Sequence, residues 1–227
     1  MKLSMRLVEA LIKNNFIKKG QSFFRIQGDG IIQVLKYEYE PNGDLPYTLS
    51  IGLMSMYSEL ESQWFTSAGC IPRYEAINLL GLKDTTLATD QEEILLQEGL
   101  PWLNKMVTQK QLVDGMCYLD IALAGKIYWL DDLKIAPLLV VGDKVSAEQI
   151  VTRILQQHQS ATESRRAYLS ESDYRLYCQR VREDDASLVQ LLSLIQSGSK
   201  FQIKAYLDNN YAQNCIIAQK QLRWCNH

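Results

Sequence analysis

The sequence predicts an α+β fold, with an N-terminal helix on an antiparallel sheet, a central helical layer and a C-terminal helical extension. Three observations carry this. From Gly30 to Met56, apolar residues alternate in two runs separated by Pro41-Asn42-Gly43-Asp44. Before those runs, residues 2–14 repeat apolar side chains at helical spacing, and after Thr89 the period turns helical and remains so.

Leu3, Leu7, Ala10 and Leu11, with Val8 and Ile12 beside them, make an amphipathic helix over 2–14 that ends near Asn14-Asn15. Phe16-Ile17-Lys18-Lys19-Gly20 predicts a turn, Ser22 to Gln27 a short strand, and Gly28-Asp29-Gly30 a tight turn. Leu35, Tyr37 and Tyr39 then alternate with Lys36, Glu38 and Glu40. Beyond the turn, Tyr47, Leu49, Ile51 and Leu53 alternate with Thr48, Ser50, Gly52 and Met54. A period of two puts each apolar set on one face and leaves Lys36, Glu38 and Glu40 on a solvated one. Proline fixes φ and Asn-Gly tolerates positive φ, so the two runs pair as an antiparallel hairpin.

Residues 57–88 read as irregular, with Trp64-Phe65 and Pro72-Arg73-Tyr74 as packing aromatics. Asp90 is a candidate N-cap, with Glu92 and Glu93 in the first turn and a break or second start at Gly99-Leu100-Pro101. Thr108 caps a helix through Leu112, Met116, Leu119 and Leu123. Asp131-Asp132 precede the apolar run of Ile135, Ala136, Leu138 and Val140, where Pro137 demands a first turn or a bend. Gly142-Asp143 stops that run, and Ser146-Ala147-Glu148-Gln149 starts a helix through Ile150, Ile154 and Leu155. Ser160 to Ser164 is the candidate boundary between an α+β domain, 1–159, and a helical extension, 160–227, broken at Ser197-Gly198-Ser199. That extension either packs on the main domain or serves as a partner-binding tail.

Composition narrows the function classes. A chain of 227 residues that is 47% hydrophobic and 22% charged is ordinary core-forming material. The net charge of −2 argues against a nucleic-acid binder, which presents a basic surface to phosphates. The charge is uneven: residues 1–27 carry Lys2, Arg6, Lys13, Lys18, Lys19 and Arg25 against Glu9, and Lys83 to Glu148 is acid-rich. Arg6, Glu9 and Lys13 interrupt the N-terminal segment, unlike the apolar core of a secretion signal, and no run is long enough to span a bilayer. The five cysteines are scattered and never spaced Cys-x-x-Cys, which predicts a reducing, cytoplasmic setting.

Catalytic constellations are sparse. With His158 and His227 alone, histidine acid/base chemistry or a multi-histidine metal site is hard to build, and no metal or cofactor is expected. His158 reads as a solvent-facing or C-capping residue. Adjacent acids, Glu92/Glu93, Asp131/Asp132 and Glu183/Asp184/Asp185, point in different directions on a helix and read as N-terminal charges facing a helix dipole. Gly28-Asp29-Gly30 is followed by a strand, so it lacks the helix N-terminus of a phosphate loop. Cys70, in Ala68-Gly69-Cys70-Ile71-Pro72, is the most nucleophile-like cysteine but has no identifiable histidine or asparagine partner. Lys18, Lys19 and Arg25 beside Phe16, Phe23 and Phe24 imitate a basic-aromatic nucleic-acid surface, but read as core aromatics with solvated bases.

Asn15-Phe16-Ile17-Lys18-Lys19-Gly20, Phe23-Phe24-Arg25, Tyr47 to Gly52, Leu100-Pro101-Trp102-Leu103, Ile135-Ala136-Pro137-Leu138, Gly142-Asp143 and Ala147 occur in that order. This order resembles a bacterial domain-of-unknown-function family that opens with a helix, a Phe-Lys-Lys-Gly-like turn and a hairpin and continues into helices. The resemblance runs from the N-terminus to residue 157 and implies a small cytoplasmic α+β protein. Some similar families sit beside secreted toxins as immunity proteins, so it also implies a protein partner, a toxin in its most concrete form, and no membrane. The expectation is a non-enzymatic binding protein that occludes its partner, with Asp120, Asp131 and Asp132 complementing basic groups. The alternative is a small hydrolase or transferase whose site is assembled from distant acids and Cys70.

Overall fold

The computed structural model describes residues 3–38, 48–59, 92–115 and 130–223. Helix α1, Met5–Lys13, opens at Ser4, whose Oγ accepts from the Leu7 N–H at 3.2 Å. Asn15 ends it in the left-handed region at φ 63°, a conformation asparagine tolerates better than most residues. Four strands follow as an antiparallel meander: β1 Ile17–Lys19, β2 Ser22–Gln27, β3 Ile31–Glu38 and β4 Thr48–Ser55. The predicted helix, the Ser22–Gln27 strand and the pairing of the two alternating runs are all present. The Pro41–Asp44 turn lies outside the described residues.

Two details of the sheet differ from expectation. Ile17-Lys18-Lys19 is a strand rather than part of a turn, since Ile17 pairs with Phe24 and Lys19 with Ser22, leaving Gly20-Gln21 to make the reversal. The sheet is also buried on both faces. Ile31, Ile32, Gln33, Val34 and Leu35 are all buried, as are Phe23 and Phe24. This contiguous apolar run, rather than the alternation after Leu35, is the signal that decides burial, because strands covered on both sides read as continuous hydrophobic stretches. The charged alternation belongs to the end of β3, where Lys36 is half-buried.

A π-helical turn, Leu95–Gly99, runs into α2, Leu100–Lys105, and the Leu100 N–H reaches back to the Leu95 carbonyl. Pro101 explains this irregularity. In an unbroken α-helix its ring would press on the Gln97 carbonyl, and the widened turn relieves that contact. Helix α3 (109–115) begins with a reciprocal cap: the Gln111 N–H donates to Thr108 Oγ1 at 3.2 Å and the Thr108 N–H to Gln111 Oε1 at 3.0 Å.

Four further helices complete the described chain: α4 Leu130–Val141, α5 Lys144–Arg165, α6 Glu171–Ser197 and α7 Lys200–Leu222. Pro137 lies well inside α4 rather than in its first turn. Gly142, at φ 86°, ends α4 as predicted, and Asp143 caps α5 by accepting from the Ser146 N–H at 3.0 Å. The segment Ser160–Ser164, read from the sequence as a boundary, is uninterrupted helix within α5.

Two hydrophobic clusters hold the elements together. The first joins Leu3, Leu7 and Leu11 to the sheet, to Leu95, Leu100 and Leu103, and to Cys215, Ala218 and Leu222 of α7. The second joins α4 and α5 through Leu138, Leu139, Ile150, Val151 and Ile154 to Ile195, Ile203 and Leu207. Helix α7 therefore contributes its first half to one cluster and its second half to the other.

Candidate functional site

Of the residues predicted from sequence to meet a partner, Asp131 and Asp132 lie in the first turn of α4. Asp120, and Cys70 of the alternative enzymatic reading, lie outside the described residues. Glu92 and Glu93 do not serve only the dipole of their own helix. Glu92 accepts from Ser4 N at 3.0 Å and from Ser4 Oγ, and Glu93 pairs with Arg6 at 3.2 Å, so the two acids clamp α1. Glu183, Asp184 and Asp185 are in the middle of α6 rather than at a helix start. His158 is likewise inside α5, not at its end, and its Nδ1 lies 2.6 Å from Asp185 Oδ1. Among the described residues, no three His, Cys, Asp or Glu side chains converge as metal ligands.

Two surface features stand out. The first is an arm. Beyond Leu155 on α5 and before Leu188 on α6, none of the described residues enters either hydrophobic cluster, although both helices continue to the turn between Arg165 and Glu171. At 1.5 Å per residue, the stretch of α5 from Leu155 to Arg165 is about 15 Å long. Cross-helix contacts replace a core there: the His158–Asp185 pair, Arg165 over the Tyr177 ring at 5.6 Å and Arg166 over the Tyr174 ring at 5.7 Å. Near the tip, Tyr168 is 86% exposed and Leu176 50%.

The second feature lies where the β2–β3 turn meets the end of β4 and α7. Gly28 and Gly30 flank Asp29 at φ 52° and 71°, and both are hemmed in. A Cβ on Gly28 would stand 2.0 Å from the Val107 carbonyl oxygen, and one on Gly30 would stand 2.7 Å from the Tyr211 ring. Only glycine meets both demands. The Asp29 N–H donates to the Val107 carbonyl at 2.8 Å, and Gln109 Nε2 donates to the Asp29 carbonyl at 2.5 Å. The turn so pinned offers the exposed Asp29 carboxylate to the Tyr57 hydroxyl, and the Tyr57 ring packs on Tyr211 with centroids 4.9 Å apart and planes tilted by 39°. Burial and then the Asp29 charge push the Tyr57 phenol above its ordinary pKa; Tyr211 is raised by burial first and then by Cys215 and Asp29. Asn210 and Asn214 tie α7 to this corner, donating to the Tyr57 carbonyl at 3.2 Å and to the Met56 and Ser58 carbonyls at 2.8 and 2.7 Å.

Comparison with known protein families, with curated proteins and with solved structures finds no match. The class established by the fold is α+β. Sequence reading recognised Gly28-Asp29-Gly30 as a turn but could not bring Tyr57 and Tyr211 to it, because they come from distant segments. The only local signal was a pair of glycines bracketing an acid.

Proposed function

We propose that this chain is a non-enzymatic protein-binding protein that works by covering a partner's surface, with a toxin as the most concrete partner. The observation that carries the reading is the arm of α5 and α6. It extends past both cores and holds Tyr168 and Leu176 in the open, where a folded chain gains nothing from them but a docking surface does. Acidic residues of the middle segment, Asp120, Asp131 and Asp132, add complementarity toward basic groups of the partner. Among the described residues no helix is long and apolar enough to cross a membrane. The free thiols of Cys178 and Cys215 are in keeping with work in the reducing cytoplasm.

The test is affinity capture with the purified chain and with two variants, Tyr168→Ala/Leu176→Ala and Asp131→Asn/Asp132→Asn, washed at low and high salt. A stoichiometric protein held by the wild type and weakened at least tenfold by the arm variant supports the reading, as does suppression of that protein's toxicity on co-expression. Equal retention by all three chains overturns it.

A further inference from the structure

We propose that Asp29, Tyr57 and Tyr211 form a receptor for one arginine side chain of a protein partner. The proposal deepens the protein-binding reading and rests on it for the source of the arginine.

Three observations point to a guanidinium. The carboxylate of Asp29 is exposed, and among the described residues no cation pairs with it, whereas Asp208 on α7 already holds Lys204. A carboxylate offers about four lone-pair sites, so a bond from the Tyr57 hydroxyl leaves room for a two-pronged donor. Second, the two tilted phenol rings supply aromatic faces beside the acid, on which a planar cation stacks and an ammonium fits less well. Third, the Asp29 charge acts on both phenols, and Asp208, the other acid acting on Tyr57, is already paired with Lys204, so the unbalanced negative charge of the corner is that of Asp29.

The corner is also rigid before any ligand arrives. Gly28 is locked against Val107 and Gly30 against Tyr211, and Asn214 fixes the backbone on either side of Tyr57. Little ordering therefore remains to be lost on binding.

The experiment uses the full chain and Nα-acetyl-arginine methylamide as the probe, with the neutral citrulline counterpart as control. Binding is read from the tyrosine ring carbon and proton shifts, assigned through Tyr57→Phe and Tyr211→Phe. Saturable shifts at Tyr57 and Tyr211 in the millimolar range, about tenfold weaker with citrulline and about tenfold weaker in Asp29→Asn, are expected. No saturable shift, or equal binding of citrulline, overturns the proposal, and because that comparison uses the wild type it does not depend on any variant folding. The two readings fail separately. Probe binding without a captured partner sinks the protein-binding reading and leaves the receptor, whereas a partner held equally by wild type and Asp29→Asn sinks the receptor and leaves the reading.

Discussion

Arg25 and Gln33 face each other across β2 and β3 and hold a polar knot inside the apolar sheet layer: Arg25 Nε donates to Gln33 Oε1 at 3.0 Å. Arg25 is 4% exposed and Gln33 fully buried. The remaining donors are spent on neighbouring elements. The guanidinium reaches the Asn14 carbonyl at 3.0 Å and Asn104 Oδ1 at 2.9 Å, and Gln33 Nε2 reaches the Leu103 and Met106 carbonyls at 2.8 and 3.0 Å. Stacking on Phe16, 4.4 Å from the guanidinium carbon to the ring centre, completes the packing. The knot ties α1 and α2 to one face of the sheet. Gln33→Leu leaves a buried charge short of an acceptor and takes the side-chain donor from the Met106 carbonyl, the Leu103 carbonyl keeping the Met106 N–H, so a loss of about 3 kcal/mol is expected in urea unfolding. Arg25→Met removes the charge itself and should cost less.

The buried tyrosines should lower stability on the alkaline side. Burial raises the phenol pKa of Tyr57, Tyr206 and Tyr211 above the ordinary 10.0. Below pH 10 the phenols are protonated folded or unfolded, and their contribution is whole. As pH rises toward their folded values, only the unfolded chain releases the protons, so the contribution is lost. Arg25 acts in the opposite sense, because burial lowers it from 12.5 to about 10 and the native state then gives up its proton first. In Arg25→Met, where that opposing contribution is absent, the tyrosines alone set the alkaline limb and the melting temperature should fall. Melting temperatures from pH 8 to 11, with absorbance at 295 nm to follow phenolate, check this. A flat melting curve with all tyrosines ionising together would contradict it.

Two helix caps differ in their response to acid. Asp143 accepts from Ser146, and this bond holds its carboxyl below the ordinary 3.8. Its stabilisation is present above pH 3.8 and is lost as pH falls through the folded value. Ser199 caps α7 with a hydroxyl in a reciprocal arrangement with Gln202, which does not titrate. Ser199→Ala should cost about 1 kcal/mol at any pH. Asp143→Asn should keep the cap and flatten the acid limb, as denaturant titrations at pH 3 and 6 would reveal.

Glycine substitutions on either side of Asp29 test the pinned turn. Gly28→Ala drives a methyl into the Val107 carbonyl oxygen in addition to the strain of positive φ, so it should destabilise by more than the roughly 1 kcal/mol of a conformational penalty alone. Gly142 has the same sign of φ but open space around it, and Gly142→Ala should show only the smaller loss.

Hydrogen exchange should grade along the arm. Amides near Ile150 and Ile154 in α5 sit over the second cluster and open only with it. Those from His158 to Arg165 are backed by the His158–Asp185 hydrogen bond and two cation–π contacts, the latter worth about 0.5–1 kcal/mol each where exposed. Faster exchange toward the tip is expected, and Tyr177→Leu should accelerate it at Arg165 without affecting Ile150.

Elements with a strong local signature were legible from the sequence: α1 by its apolar stripe, β2 to β4 by period two and glycine turns, the start at Thr108 by its cap, and the break at Ser197-Gly198-Ser199. What escaped had a non-local cause. Ile17–Lys19 is a strand because Ser22–Phe24 is there to pair with it, and its own residues resemble a basic turn. Pro137 is tolerated deep in α4, whose Leu133 to Leu139 segment is buried. Ser160–Ser164 has the composition of a linker, yet the small polar residues of an exposed helix look the same when read in one dimension. The Asp29 corner was illegible for the plainest reason, that Tyr57 and Tyr211 reach it only through tertiary structure.

Helix α7 sets a condition on how the molecule can be made. The sheet cluster draws Leu7 and Leu11 from the first helix and Cys215, Ala218 and Leu222 from the last described one. A chain emerging from the ribosome thus presents the Ile31–Leu35 ribbon well before Cys215, Ala218 and Leu222 exist to complete its cover. Such a nascent chain carries an uncovered apolar strand, which is a natural client for a chaperone. The cover of the sheet is completed by a segment made long after the strands it protects.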